Sequence, residues 1–446
     1  MMIRQQGPAV VSVAMGYGHL RAAKPLADLL KVPMLRADLP PLCPDDESRL
    51  WRMLLEGHSK LSRPLPGGEF FGLSKSFGMD WLTRIPPLYP ERNLARPDFA
   101  TRALGLMSHL GLGKGLVEYL REANVPMITT FYAAAILADR AGLSQIYCVV
   151  TDADVQRVWV AADPEQSNIH YFAPSFRVVR RLRAYGVHHR HITLTGFPLP
   201  PSLLGGPDLN VARKALAERL VRLDPENSFR QLHEQDLVRV VGELPRRVDR
   251  PLRLCFTVGG AGIQAELADD FLDSLGDWIR QGRLEVTLVA GIRSSVKERL
   301  YRAVERASLD AFLDRGVSIL IGESFEDYYA QFNRALAAAD ILWTKPSELS
   351  FYGALGIPLI LARPVGTHER FNRRWLRRLG VGLKQENPRY CRGWLGEWLA
   401  DGTLAGAAWS GFVRMPKEGT YRIAERLDQG NGSFLPRASQ DALGMH

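Results

Sequence analysis

Cysteine is scarce in this chain: four among 446 residues, Cys43, Cys148, Cys255 and Cys391, with no two close in sequence. That spacing fits neither a paired-cysteine zinc site nor a disulfide framework. Cys148 and Cys255 lie in apolar runs and are expected to be small core residues. Long apolar runs are missing too, since no window reaches the about 18 residues that a membrane-crossing helix needs. The opening residues, MMIRQQGPAV, hold a charge but no apolar stretch before a small-residue cleavage site, so a cytosolic protein is expected. Repeats and low-complexity segments are absent, which sets aside solenoid and fibrous classes. Acid is in deficit, with 48 Asp and Glu against 57 Lys and Arg, for a formal charge of +9. Such a balance favours anionic partners: nucleotides, phospholipid surfaces or nucleic acid. The basic residues are densest at 177–183 and 370–378. Neither cluster is interleaved with aromatics as RNA binding requires, so nucleic acid is not expected and solvated helix faces are.

What the chain does contain is an ordinary globular composition, 46% hydrophobic and 24% charged, spread over too many residues for one core. Apolar strand-like runs alternate with helical stretches, which implies parallel sheets with right-handed crossovers. Residues 9–14 read as a buried strand, followed by Met15, Gly16, Tyr17, Gly18, His19 and a helix over 21–30. Further strands are expected at 35–38, 127–130, 146–150, 171–173 and 192–195. Residues 40–115 are Pro- and Gly-rich and harder to read; Phe70 to Leu73, Trp81 and Leu82 are apolar points in them, and core is the usual place of such residues. Residues 199–250 break the alternation. Strands then return at 252–258, 286–290, 317–321, 341–343 and 359–361. The expected domains are 1–200, an interdomain connection with a helical insert at 201–250, a second Rossmann-like domain at 251–412, and a crossing helix with a disordered tail at 413–446.

Two strand–turn–helix points carry the chemistry. At the first, Gly16 and Gly18 let backbone approach a ligand, and His19 sits where a helix N-terminus disfavours the imidazolium. A neutral imidazole there serves as a base near neutral pH, or simply packs locally. At the second, within residues 339–372, Lys345, Pro346, Ser347 and Glu348 form a turn that opens a helix to about Leu355. Gly356, Ile357 and Pro358 stop that helix before the next strand. Amides and dipole at such a helix start suit an anion, although an ordinary βαβ unit has the same outline. Gly259, Gly260 and Gly262 form a third, glycine-rich turn that presents bare amides suited to a diphosphate. Glu369 and Asn372 share one helix face, three residues apart. Asp152, Ala153 and Asp154 match a metal-binding Asp-x-Asp by composition, a tripeptide that often occurs by chance.

The second of these points, with its Lys-Pro turn, Ala354-Leu355, Gly356-Ile357-Pro358 and Glu369-Arg370-Phe371-Asn372 in register, resembles the nucleotide-sugar half-site of GT-B glycosyltransferases. The nearest families are monogalactosyldiacylglycerol synthases and the peptidoglycan GlcNAc transferase that forms the lipid-linked disaccharide. The resemblance extends over most of 9–30, 146–198 and 251–380. It implies two Rossmann-like domains facing a cleft, with a sugar moved from a nucleotide-diphosphate donor, UDP-linked in these families, to an acceptor hydroxyl on a lipid or glycan. His19 would be the catalytic base. Gly16, Gly18, Gly259, Gly260, Gly262, Lys345, Ser347, Glu348, Glu369 and Asn372 would bind the donor, and Asp152 would lie on the acceptor side. No metal and no cofactor beyond the co-substrate are expected. A peripheral position on an anionic inner membrane face follows from the lipid acceptors, with the basic helix at 177–183 and the apolar segment near Phe70 and Phe71 as the contacts.

The chain departs from that pattern at four places. Glu348 adds a negative charge where the families place a small residue. Their ribose-binding Glu is here Gly353, their Gln before the Glu is His368, and a histidine that follows the Asp by five residues is Arg157. These departures keep two other readings open: a nucleotide-sugar epimerase of the same fold, with Glu323 and Asp152 as further carboxylates, and a non-catalytic module binding a glycan or a protein.

Overall fold

The computed structural model describes residues 7–61, 85–258, 264–364 and 367–431. Gly259, Gly260, Gly262, the stretch from Phe70 to Leu73, Trp81 and Leu82 lie outside the described residues, as does the tail beyond Asn431. The chain divides into two units. The first gathers Met1–Leu199, Val365–Asn372 and Glu418–His446; the second gathers Pro200–Pro364 and Arg373–Lys417.

The first unit is a six-stranded parallel sheet of β1 (Ala9–Ser12), β2 (Met34–Arg36), β3 (Met127–Thr129), β4 (Ile146–Val149), β5 (Ile169–Ala173) and β6 (Ile192–Leu194). Its strand order is β2-β1-β3-β4-β5-β6. Burial on both faces explains why these strands read as short continuous apolar runs rather than alternating ones. Val10, Ile128, Val149 and Phe172 point to one face, under the helices Tyr17–Leu30 and Gly419–Asn431, with Leu26, Ile423 and Leu427 fully packed against them. Val11, Met127, Cys148 and Tyr171 point to the other face, with Phe131 and the helix Tyr132–Arg140.

The second unit repeats the plan with β7 (Leu252–Thr257), β8 (Leu284–Gly291), β9 (Val317–Ile321), β10 (Ile341–Thr344), β11 (Leu359–Leu361) and β12 (Gly382–Lys384). The order is β12-β11-β10-β7-β8-β9, all parallel. Both units are therefore Rossmann-like, as the alternation of strands and helices implied. Residues 201–250, expected as an interdomain connection, fold as part of the second unit. The reason is visible at Arg219, a fully buried residue of the helix Asn210–Arg222. It donates to the carbonyls of Ala339 at 3.0 Å, Leu355 at 3.1 Å and Gly356 at 3.0 Å, groups at the ends of two helical segments that have no other backbone partner inside their own helix. Among the described residues no helix is long and apolar enough to cross a membrane.

Candidate functional site

In the first unit the strand order reverses between β1 and β3, the point where open parallel sheets leave a crevice at their carboxyl ends. His19 stands there. Gly16 ends the β1 loop at φ 121 and ψ 170, a backbone that a side chain resists, and offers no capping group to the helix Tyr17–Leu30. The His19 ring is buried at 8% exposure, edge-on to Phe131 with centroids 5.2 Å apart, and stacked near Trp159 at 6.3 Å. Its Nδ1 lies 2.6 Å from the Thr130 carbonyl, just past β3. A carbonyl only accepts, so in the neutral ring Nδ1 carries the hydrogen and Nε2 carries the lone pair. The Thr130 hydroxyl in turn donates to the His19 carbonyl at 3.0 Å and meets the Ser12 hydroxyl at 3.0 Å. Gly18 is half-buried beside the ring's helix turn.

The turn after β4 holds Asp152 half-buried, then Ala153 and Asp154. Asp154 is 2% exposed, and its carboxylate takes the Arg177 Nε–H at 2.7 Å and the Arg181 Nε–H at 2.7 Å. Both oxygens are thus committed to arginines, and Asp152 with Asp154 does not form a cation cradle. The same pairs correct the expectation of a solvated basic face at 177–183: Arg181 is fully buried and Arg177 turns inward, while Arg180 and Arg183 face solvent. Charges at i and i+4 on one helix face meet the single acid beneath them.

Arg157, which replaces the histidine of the resembling families, is also structural. Its guanidinium donates to the carbonyls of Ala95 at 2.6 and 2.9 Å, Val160 at 2.7 Å and Ala161 at 3.0 Å. Burial lowers its pKa from the usual guanidinium value, and the charge persists because these carbonyls surround it.

Glu369 and Asn372 are 3% and 1% exposed on the helix Thr367–Leu379. Expected within the domain at 251–412, they group with the first unit. The cause is a hydrogen bond from the Ala153 N–H to Asn372 Oδ1 at 3.1 Å, which docks the start of that helix on the β4 turn.

In the second unit the order reverses between β7 and β10. The ends of these strands are joined by the Thr257 and Thr344 hydroxyls, 2.7 Å apart. Lys345, half-buried, follows β10 directly, and Ser347, 7% exposed, begins the next helical segment without a side-chain cap. That segment, Glu348–Leu355, is the expected helix, wound as a 3₁₀ helix. Gly353 within it is closely packed: a Cβ there would meet Val381 Cγ2 at 2.8 Å and Leu359 Cδ1 at 3.3 Å. The segment is buried from Leu349 to Leu355, so tertiary packing sets its winding. A carboxylate at position 353 would point into this core, so the ribose-binding Glu has no equivalent here. The Gln264 side-chain amide donates to the Arg363 carbonyl, past β11, at 3.1 Å.

The roles of Thr130 and Phe131 were not expected from the sequence, and Arg177 was expected only on a basic helix face. The hydroxyls that end β3 and β10 were a usable signal, because a residue just past a strand in a parallel sheet faces the crevice. The arginine contacts were not readable, since their partners lie far away in the chain.

A family model described as a domain of unknown function, DUF6938, matches residues 243–383. A comparison with curated proteins finds no match. Among solved structures, the chain is similar to S. aureus MnaA in a co-structure with UDP, at 9% identity and a TM-score of 0.48, covering 94% of this chain and 95% of that one. It is similar to MurG from Acinetobacter baumannii at 11% identity and a TM-score of 0.48, covering 95% and 100%. A third similar structure is UDP-GlcNAc 2-epimerase from Neisseria meningitidis, at 10% identity and a TM-score of 0.47, covering 94% and 100%.

Proposed function

We propose that the protein is a nucleotide-sugar-dependent glycosyltransferase. The observation that supports this reading most is the placement of the two strand–turn–helix points: each stands at the strand-order reversal of its own sheet, where Rossmann-like sheets take ligands. In the first unit the His19 tautomer set by Thr130 leaves Nε2 as the basic nitrogen. It accepts the proton of an acceptor hydroxyl as that oxygen bonds to the anomeric carbon of the donor. The bond from that carbon to the diphosphate oxygen breaks, and the nucleoside diphosphate leaves with the electron pair. Lys345 and the amides that open the segment at Ser347 would stabilise the leaving charge, and Glu369 and Asn372 would hold the transferred sugar.

Calorimetry with a panel of nucleoside diphosphates tests the reading. Binding at micromolar strength, followed by release of nucleoside diphosphate when sugar donors and extracted lipid acceptors are added, is the expected result. No binding at millimolar concentration overturns it and favours a non-catalytic module. Binding with a change of sugar configuration and no transfer to any acceptor favours the epimerase.

A further inference from the structure

Two adjacent residues of the turn after β4 hold two adjacent residues of the helix Thr367–Leu379. The Ala153 N–H binds Asn372 Oδ1 at 3.1 Å. Its neighbour Asp154 binds Arg177 through Oδ2 at 2.7 Å, and the Arg177 guanidinium lies over the Phe371 ring, 5.6 Å from its centroid. Asp154 does not need Arg177 for its own burial. Arg181 already binds it twice, Nε to Oδ1 at 2.7 Å and Nη2 to Oδ2 at 3.1 Å, and the Val155 N–H adds a bond at 3.1 Å. Arg181 is fully buried, whereas the Arg177 side chain is 25% exposed. Arg177 is therefore the member of the cluster that links the fixed carboxylate to an aromatic ring on another segment. A guanidinium against a ring face is attractive and planar, so it restrains ring orientation as well as distance.

We propose that Arg177 is a positioning residue. It latches Phe371 to the buried Asp154–Arg181 pair and so fixes the presentation of Asn372, the next residue, and of Glu369, one turn earlier on the same helix. With Oδ1 held by Ala153, the Asn372 amide has one allowed orientation, and its NH₂ group is the donor side. The functional part of this inference rests on the preceding reading, in which those two residues hold the transferred sugar. It also gives the Asp152-Ala153-Asp154 sequence a use other than metal binding: an anchor for a helix start.

The test uses the full-length protein with Arg177→Met and Arg177→Lys. Arg181 still neutralises Asp154 in both, so both variants fold. Hydrogen exchange without any ligand reads the latch directly. In Arg177→Met the Ala153 amide and the amides of 369–372 are expected to exchange about 10-fold faster, with the rest of the first sheet unchanged. In binding measurements the same variant loses affinity for a nucleotide sugar by about 10-fold or more and keeps its affinity for the matching nucleoside diphosphate. Arg177→Lys, which keeps the bond to Asp154 and a cation near the ring, recovers part of both losses. Unchanged exchange at 153 and 369–372 overturns the inference. Equal loss of diphosphate and nucleotide-sugar affinity, with a shallower salt dependence, also overturns it, because it shows direct phosphate contact. If the wild type binds no nucleotide at all, the preceding reading fails, and the exchange result alone still decides the latch.

Discussion

The Nδ1 atom of His19 lies 2.6 Å from the Thr130 carbonyl oxygen, across the strand-order reversal of the first sheet. This contact assigns the proton within the neutral ring and points the basic nitrogen the other way. It also means that the ring is oriented by backbone, which no side-chain substitution at position 130 removes. His19→Ala is expected to lower turnover by about 10²- to 10⁴-fold, the usual contribution of a general base, while donor affinity stays nearly constant. Steady-state kinetics beside calorimetry measures both quantities, and unchanged turnover removes His19 from the reaction.

Arg157 acts on the fold, through its bonds to backbone carbonyls. Arg157→His, which places there the residue of the resembling families, leaves the buried carbonyls of Ala95, Val160 and Ala161 without their donor. The expected loss is about 3–5 kcal/mol of stability, the size seen when a buried charged partner is removed. Urea unfolding gives the value. A loss below about 1 kcal/mol would mean that water replaces the guanidinium at little cost.

His170 predicts a pH dependence. Its ring is packed near Tyr147 and Phe172, and its Nε2 lies 2.8 Å from the Thr193 hydroxyl. Burial pushes its pKa down from 6.5 to about 4, with Arg426 and then His191 adding to the shift. A folded-state pKa below the unfolded one means that the unfolded chain binds the proton first. Stability is therefore whole above about pH 6.5 and falls as pH drops toward 4, by about 3 kcal/mol in all from this group. Chemical unfolding at pH 7.5, 6 and 5 for wild type and His170→Gln measures it. The variant should lose clearly less stability over that range, and parallel losses would reject the assignment.

How much of this was legible in the sequence depends on how local each cause is. The strands at 317–321 and 359–361 were readable to the residue, because a strand buried on both faces is a short apolar run between turns. β12, Gly382–Lys384, was not, since three residues with a glycine and a lysine carry no such pattern. The winding of Glu348–Leu355 was also hidden. It depends on Val381, Leu359 and the close approach of Gly411 to the Gly353 carbonyl, all brought in by other segments. His19 was readable from its place after a strand and two glycines; the groups that orient it, over a hundred positions away, were not. The arginine partners of Asp154 were hidden for the same reason, since a tripeptide does not reveal that Arg177 and Arg181 turn beneath it.

The last prediction concerns Glu348 and Gly353, which together replace what the resembling families use. Gly353→Glu does not rebuild a ribose clamp. Its Cβ alone would come within 2.8 Å of Val381 Cγ2, an atom of a fully buried, β-branched residue that has little room to move. Overpacking of this kind costs about 1–3 kcal/mol before the buried carboxylate is counted, so the variant should be destabilised and gain no affinity. Glu348 is the carboxylate that remains, half-buried at the first position of the 3₁₀ segment, three residues after Lys345. Its charge favours the helix start by about 0.3–1 kcal/mol and repels a diphosphate placed there. If Glu348 instead turns to the hydroxyls of ribose or sugar, each hydrogen bond to the ionised acid is worth about 1.5–3 kcal/mol. Lys345, close by in the chain, offsets the repulsion over a short distance. The expected result is therefore that Glu348→Gly weakens nucleotide-sugar binding by about 10-fold or more and lowers the melting temperature slightly. Titration of both proteins with nucleoside diphosphates and with nucleotide sugars separates the two roles. Tighter diphosphate binding by the glycine variant would show that Glu348 blocks the site, and the donor-binding role would then have to be given up.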